Sequence, residues 1–175
     1  RVFSPLTTNL PAAQSQAASR LTSALFHDHA NKLWLAAQDT LLYQDSQGDW
    51  QQFPFRAKAN IRKIYQIAEY PAGTLWLATD TGLYQFKNGQ LQFDPTPFQL
   101  TGLAPSGVTA LHVDTQGVLY LGVWQRGLIS WQVGADSASL NLTQLAENSG
   151  DQIYDLALSP DGVLFAATRY SGLYK

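Results

Sequence analysis

The chain contains neither cysteine nor methionine among its 175 residues. Without cysteine it can form no disulfide bond and no thiolate metal site, and the sequence carries no sign of its redox compartment. No apolar run reaches the ~18 residues of a membrane-spanning helix, and no secretory leader pattern opens the chain. Because it begins at Arg1 without an initiator Met and ends at Lys175 inside a repeated phrase, we expect a piece of a longer protein.

Charged residues are also scarce. The chain has 11 Lys and Arg against 13 Asp and Glu, which gives a formal net charge of −2. Surfaces that bind nucleic acid or anionic membranes need clustered basic residues, so the charge balance argues against both classes of partner. Aromatic residues, in contrast, are plentiful, with 5 Trp, 8 Tyr and 8 Phe. Most of them recur at the same position of each repeat, which favours a role in packing over a role in ligand binding.

One phrase occurs four times along the chain. It consists of a short apolar run, a polar turn and a second apolar run, as in the segment Leu75–Tyr84. The leucines that begin the copies are spaced by 75 − 33 = 42, 119 − 75 = 44 and 164 − 119 = 45 residues. A repeat of this length indicates a repeat architecture, in which each copy forms one supersecondary unit. This constrains the fold more strongly than the prediction of any single strand.

A complete repeat unit predicts four short antiparallel strands, and the fourth strand is present in three of the four copies. An apolar strand such as Ile64–Ile67 comes first, and a turn with Gly73 leads into the Leu-Trp strand. A second turn precedes Gly82, which opens the third strand, and Asn88-Gly89 marks a hairpin before the fourth. Four such strands in every ~40–45 residues are typical of a β-propeller blade. The sequence therefore predicts an all-β protein, a β-propeller of about four blades.

The predicted blades cover residues 21–55, 61–98, 108–145 and 153–175, and residues 1–6 form one further strand. The fourth blade stops after its third strand. Propellers commonly close by pairing strands from the two termini, because this removes free edges. Val2-Phe3 is the candidate for the missing strand, which closes a four-blade ring. The alternative is an arc of a larger propeller, whose apolar end faces are covered by further chain or by another copy in a homo-oligomer formed through blade faces.

Two segments carry a resemblance to a known family. Asp114–Gly122 and Gly73–Tyr84 are similar to the phrase Asp-x-x-Gly-x-Leu-Trp-x-Gly-Thr followed by x-x-Gly-Leu-Tyr, which defines the two-component regulator propeller repeat. The resemblance covers essentially residues 21–175, although alanine replaces the family glycine in three of the four copies. WD40 and kelch repeats are less similar, because their Gly-His, Trp-Asp and double-glycine signatures are missing.

The resemblance implies a place and a role for the chain. In that family the propellers form the extracytoplasmic sensor region of bacterial transmembrane receptors, whose cytoplasmic ends are histidine kinases, hybrid kinases or diguanylate cyclases. It implies a periplasmic, non-catalytic sensor module of an inner-membrane protein, in contact with the membrane only through its parent receptor. We predict no cofactor.

Catalytic and metal-binding motifs are sparse. No nucleophile elbow, phosphate loop, kinase or cyclase signature is present. The segment His27-Asp28-His29 is the one metal-like cluster, but it falls in a repeat turn and lacks further ligands, so we predict a solvated turn and no metal.

The catalytic alternative is a lyase or hydrolase similar to the streptogramin lyases, for which His112 and Asp155 are the available acid–base pair. Asp155 lies in an apolar strand, where a carboxylate must be paired, and this favours a structural role.

Candidate ligand-binding residues lie where the repeats differ. The turn between second and third strands is the most varied piece, and in a propeller these turns share one rim with the interblade connections. Guanidinium groups bind carboxylates or sulfates, and aromatic faces suit sugars. We therefore predict a small anionic or carbohydrate ligand, with a protein partner of an interaction scaffold as the alternative. Local salt bridges with Asp80 or Asp155 are the simpler explanation of the charges. The candidate residues are Gln38, Asp80, Trp124, Arg126, Arg169 and Tyr170.

Overall fold

The computed structural model describes residues 22–37, 39–45, 47, 49–141 and 151–175. Within these residues the strands form three four-stranded sheets and one three-stranded sheet, all antiparallel and each built from strands that follow one another in the chain. The sheets are blades arranged around a common axis, and the fold is a four-bladed β-propeller. The predicted fold class is confirmed. Residues 1–6 and Gln38 lie outside the described residues, as do residues 142–145 of the third predicted blade.

The strands of each blade run in order from the axis outward. Blade 1 contains β1 (Thr22–His27), β2 (Leu33–Ala37), β3 (Thr40–Gln44) and β4 (Trp50–Phe53). Blade 2 contains β5 (Ile64–Glu69), β6 (Leu75–Thr79), β7 (Gly82–Lys87) and β8 (Gln90–Phe93). Blade 3 contains β9 (Val108–Val113), β10 (Val118–Val123), β11 (Gly127–Gln132) and β12 (Ala138–Asn141). Blade 4 contains β13 (Ile153–Leu158), β14 (Leu164–Thr168) and β15 (Leu173–Tyr174).

Two short helices that the sequence did not predict lie in the interblade connections. They are α1 (Phe55–Ala59) and α2 (Thr96–Leu100), and the residues that precede them are Pro54 and Pro95. Five residues are too few to show a helical period, so hydrophobic patterning cannot reveal them. In the described part of the chain, no helix is long and apolar enough to cross a membrane.

A carboxylate stabilises the turn between the first and second strands of blade 1 and bonds to the tryptophan of the second strand. Asp28 Oδ1 accepts hydrogen bonds from the N–H groups of Ala30 and Lys32, each at 2.9 Å, and Oδ2 accepts one from Trp34 Nε1 at 2.9 Å. Asp114 repeats the arrangement in blade 3. The turn also needs a positive φ, which Asn31 adopts at 59° because Asn tolerates the left-handed region.

The blades stack through two different faces. One face of blade 1 presents Trp34 and Ala36, which pack against Leu75 and Leu77 of blade 2 in one buried cluster. Trp76 of blade 2 packs in the same way against the leucine face of blade 3. The exposed fractions of Trp34 and Trp76 are only 8% and 1%, so the prediction that these aromatic side chains fill the space between blades is confirmed.

A single amide side chain links three blades near the axis. Gln66 on β5 donates from Nε2 to Asp155 Oδ1 at 2.8 Å, and its Oε1 accepts from the backbone N–H of Leu111. Asp155 also accepts from the N–H of Leu156 at 3.0 Å. Although its strand was predicted to be apolar, Asp155 is exposed and not buried. Its inferred structural role fits these contacts.

The capping carboxylate of Asp28 predicts a pH dependence of stability. Burial raises the pKa of Asp28, but hydrogen bonds from the Trp34 indole and from the N–H groups of Lys32 and Ala30, together with nearby His29, bring it below its ordinary value. A folded-state pKa below the unfolded one gives stability that is present above about pH 4 and is lost as the pH falls through the folded pKa. We expect Asp28→Asn to lower the urea midpoint at about pH 7 and to reduce its fall towards about pH 3.

The matched control for this prediction is Asp136→Asn, the same substitution in an exposed hairpin. It is expected to leave both the midpoint and its pH dependence close to those of the parent chain, because surface substitutions rarely exceed about 0.5 kcal/mol. Equal pH profiles for the Asp28 variant and the parent chain would show that the capping carboxylate does not contribute.

Candidate functional site

The turns between second and third strands lie at one rim of the propeller together with the starts of the inner strands. A backbone N–H of the turn donates to a carbonyl just before the inner strand in three blades: Asp80 to Lys63 at 3.1 Å, Trp124 to Gly107 at 2.8 Å and Arg169 to Gln152 at 3.0 Å. This repeated bond confirms the predicted sharing of one rim by turns and interblade connections. We call this end of the molecule the 2–3 rim.

In blade 2, Asp80 is committed to holding the 2–3 rim together. Its Oδ1 accepts from the N–H groups of Arg62 and Lys63 at 3.0 and 3.2 Å. The Arg62 guanidinium is 3.9 Å from Asp80 Oδ2 and its side chain is 79% exposed, an ion pair of the kind that contributes little to stability. Asp80 therefore fixes the backbone, while Arg62 remains available to solvent.

In blade 4 the carboxylate and the guanidinium have exchanged places relative to blade 2. The carboxylate is now Asp151, before the inner strand, and its Oδ1 accepts from the N–H of Tyr170 at 3.1 Å. The guanidinium is Arg169, which lies over the Tyr170 ring at 5.0 Å from its centroid. Beneath this turn Asp151 Oδ2 and Gln152 Oε1 are buried, and neither atom has a hydrogen-bond partner among the described residues. Such acceptors are normally satisfied by a donor from solvent or a ligand.

The blade 3 turn carries the other two predicted ligand-binding residues. Trp124 is 38% exposed although it is a large apolar side chain, and Arg126 is exposed beside it. Gln125 between them adopts a φ of 54°, a left-handed conformation within this tight turn. The described contacts include no hydrogen bond, ion pair or ring contact between this turn and the Arg169–Tyr170 turn.

Two tyrosines that sequence reasoning missed lie at the axial side of the same rim. Tyr65 and Tyr154 occupy the same position in the inner strands of blades 2 and 4, and Tyr154 is 52% exposed. Burial, then the charge of Asp80, then Tyr154 raise the pKa of Tyr65, and Lys63 Nζ lies 4.7 Å from its ring centroid. The repeated Ile-Tyr pair at the start of both inner strands was the available signal.

The 2–3 rim therefore gathers basic and aromatic side chains from three blades. Five of the six predicted residues are described there, and Gln38 lies outside the described residues. Asp80 serves the backbone, and the structure adds four side chains to the predicted set. The side chains available to a ligand are Arg62, Lys63, Tyr65, Trp124, Arg126, Tyr154, Arg169 and Tyr170.

The proposed acid–base pair is not assembled. His112 pairs across the sheet with Tyr120, and its ring centroid lies 6.4 Å from that of Tyr120. Asp155 pairs with Ala167 near the other end of its blade and bonds to Gln66. No hydrogen bond joins His112 to Asp155 within the described residues, so the contact expected of a catalytic pair is not found there.

The metal-like cluster is part of an interblade contact. His29 Nδ1 lies 2.7 Å from Glu69 Oε1, and the His29 N–H donates to Glu69 Oε2 at 2.7 Å. Asp28 caps its own turn, as described above. In the described part of the chain, no group of three or more His, Cys, Asp or Glu side chains is placed to hold a metal ion.

Comparison with solved structures shows the same fold in larger proteins. The extracellular domain of the hybrid two-component system BT4673 from B. thetaiotaomicron matches with a TM-score of 0.69 and 22% identity, over 87% of this chain and 20% of that one. The corresponding domain of BT3049 from the same organism matches with 0.67 and 16%, over 87% and 21%. Virginiamycin B lyase from Staphylococcus aureus matches with 0.60 and 12%, over 87% and 54%.

These likenesses define the class of protein as a β-propeller. No family model and no curated protein matches the chain. The chain spans about a fifth of the length of the two B. thetaiotaomicron domains. Propellers of this shape therefore occur both in extracellular domains of signalling systems and in a lyase, and the fold alone does not choose between them.

Proposed function

We propose that the chain is a non-catalytic, extracytoplasmic sensor module of a bacterial transmembrane receptor, and that it binds a small anionic or carbohydrate ligand at the 2–3 rim. The observation that carries the proposal is the grouping of exposed guanidiniums and half-exposed aromatic rings from three blades on one rim. Two propeller neighbours that are extracellular domains of two-component systems support the sensor role. The parent receptor is expected to end in a histidine kinase or diguanylate cyclase.

The chemistry of the rim supports this class of ligand. Arg126 and Arg169 have no carboxylate partner among the described residues, so neither guanidinium is neutralised by a salt bridge. A planar guanidinium binds a carboxylate or sulfate through two parallel hydrogen bonds. Trp124 and Tyr154 present partly exposed ring faces, which can pack against the apolar faces of a sugar ring. A sugar acid combines both requirements in one molecule.

A lyase or hydrolase remains the second candidate because a lyase shares the propeller fold. The structure weakens it, since His112 and Asp155 are held by different partners at different ends of their blades. An interaction scaffold is the third candidate, and it requires only that the same rim contacts a protein.

Ligand binding can be tested by thermal shift with defined probes. Oligogalacturonides serve as the anionic sugar probe and maltooligosaccharides as the neutral comparator. A ligand present at 100 times its Kd stabilises the folded state by about 2.7 kcal/mol, which raises Tm. We expect the anionic probe to raise Tm in the parent chain and to have little effect on Arg126→Ala combined with Arg169→Ala.

The matched control removes the same charge from the opposite rim, with Lys32→Ala combined with Lys87→Ala. This variant should keep the ligand-induced rise in Tm. The small-ligand proposal would be abandoned if no sugar acid raised Tm in the parent chain, or if both double variants responded like the parent.

A further inference from the structure

Every blade has a β-bulge at the same place in its inner strand. In blade 2 the pairing of β5 with β6 shifts by one residue at Tyr65, which is the extra residue of its strand. The same shift leaves Ser23, Thr109 and Tyr154 as the extra residues of blades 1, 3 and 4. Bulges re-aim a side chain and are common next to functional sites. Four equivalent side-chain positions therefore surround the axis where the inner strands begin, at the 2–3 rim.

Blades 1 and 3 carry a small hydroxyl side chain at the bulge. Ser23 Oγ donates to a carbonyl of its own blade at 3.4 Å, and Thr109 Oγ1 donates to the Ile153 carbonyl at 2.7 Å. Both hydroxyl groups therefore serve the backbone. Blades 2 and 4 carry tyrosine at the same position, and the side chain of Tyr154 is 52% exposed while that of Tyr65 is partly buried. The bulge thus presents a phenol ring in every second blade.

The two tyrosines belong to one place on the rim. Gln66 Nε2 donates to Asp155 Oδ1 at 2.8 Å, and these two residues directly follow Tyr65 and Tyr154 in the chain. Because the inner strands begin at the 2–3 rim, both tyrosines lie one residue nearer the rim than this bond. Burial first, then Asp80 and Tyr154, raise the pKa of Tyr65, so the two phenol groups lie within electrostatic reach of each other.

The groups around the two rings suit a sugar. A partly exposed aromatic ring packs against the C–H groups of a sugar ring and so removes apolar surface from water. The carboxylate of Asp155, one residue deeper than the rings, can only accept hydrogen bonds, so it favours sugar hydroxyls and repels an acid group. The Lys63 ammonium lies 4.7 Å from the ring centroid of Tyr65 and supplies a positive charge for the acid group beside that ring.

We propose that Tyr65 and Tyr154 form the subsite for one sugar ring of the ligand, at the axis end of the 2–3 rim, with the sugar hydroxyls on Asp155 and the acid group on Lys63. This inference rests on the proposed function, because it assigns a defined position to the class of ligand named there. The guanidinium groups of the outer turns then contact further units of an acidic oligosaccharide. The tyrosines of alternate blades therefore determine that the ligand is a sugar and not merely an anion.

The repeat itself supplies the substitution that tests this subsite. Tyr65→Thr and Tyr154→Thr give blades 2 and 4 the residue that blade 3 carries at the same bulge, Thr109, so the backbone should be kept and the Tm of the ligand-free chain should stay close to that of the parent. Isothermal titration calorimetry with trigalacturonate measures the affinity. We expect each variant to raise Kd about tenfold, which corresponds to about 1.4 kcal/mol, and the double variant to raise it further.

The matched control is Tyr65→Phe combined with Tyr154→Phe, which keeps both rings and removes only the phenol hydroxyls. This variant should bind trigalacturonate with a Kd close to that of the parent chain, because the packing surface of the rings is retained. An equal loss of affinity in the Phe and Thr pairs would overturn the assignment of the ring faces to the sugar.

The outcomes separate this inference from the proposed function. If the Thr variants bind trigalacturonate as tightly as the parent while Arg126→Ala combined with Arg169→Ala does not, the axial subsite is wrong and the proposed function stands. If the parent chain binds no sugar acid, both are wrong. A ligand-free Tm far below that of the parent, with an unchanged Kd, would assign the two rings to packing and would also overturn the subsite.

Discussion

Replacing Trp76 by alanine is expected to lower the free energy of unfolding by about 3–5 kcal/mol, the range for large aromatic side chains in a core. The side chain is 1% exposed between blades 2 and 3, and its ring meets Trp131 edge to face with centroids 5.6 Å apart. Its Nε1–H also donates to the Tyr70 carbonyl at 2.6 Å. Truncation therefore leaves a cavity and an unpaired carbonyl at an interface that holds two blades together.

The control for this prediction is Trp124→Ala, the same substitution at a partly exposed position. Surface changes usually alter stability by no more than about 0.5 kcal/mol. Urea unfolding followed by circular dichroism measures both variants without relying on tryptophan fluorescence. Similar losses for Trp76→Ala and Trp124→Ala would contradict the packing of aromatic side chains between blades.

The repeated parts of the fold could be predicted from the sequence. Strands such as β6 and β7 recur with the same pattern in each copy, and repetition separates them from chance apolar runs. The turn glycines and Asn31 were predictable for the same reason, because a positive φ limits the residue type. The shared rim of turns and connections then followed from strand order alone.

Contacts between blades could not be predicted in the same way. Gln66 reaches Asp155 two blades further along the chain, and this depends on how each blade is rotated about the axis. The commitment of Asp80 to backbone N–H groups depends on the local path of Arg62 and Lys63. Neither feature produces a periodic signal. Sequence reasoning therefore located the rim correctly, but could not separate side chains that stabilise it from those available to a ligand.

After Trp76→Ala, the largest loss of stability is expected for Gly122→Ala, which adds one methyl group. Blade 3 has the one copy of the phrase with glycine at this position, where the other three copies have Ala36, Ala78 and Ala166. A Cβ at this position would lie 2.8 Å from Ile153 Cβ, closer than real Cβ atoms come, and 3.0 Å from Ala110 Cβ, tighter than most Cβ contacts. Overpacking typically costs about 1–3 kcal/mol, whereas the loss of unfolded-state freedom on Gly→Ala stabilises by about 0.4–1 kcal/mol. We expect Gly122→Ala to be destabilising by about 1–2 kcal/mol net.

The cause of this loss can be separated by a double-mutant cycle with Ile153→Ala, since residues in contact are not additive. Ile153→Ala alone removes buried apolar surface and should be destabilising. It also removes Ile153 Cγ2, which would lie 3.1 Å from the new Cβ, and so relieves part of the overlap, while the Ile153 Cβ at 2.8 Å remains. The double variant should therefore lose less stability than the sum of the single variants. Strict additivity in urea unfolding, or a Gly122→Ala variant more stable than the parent, would show that the two blades are not closely packed at this point.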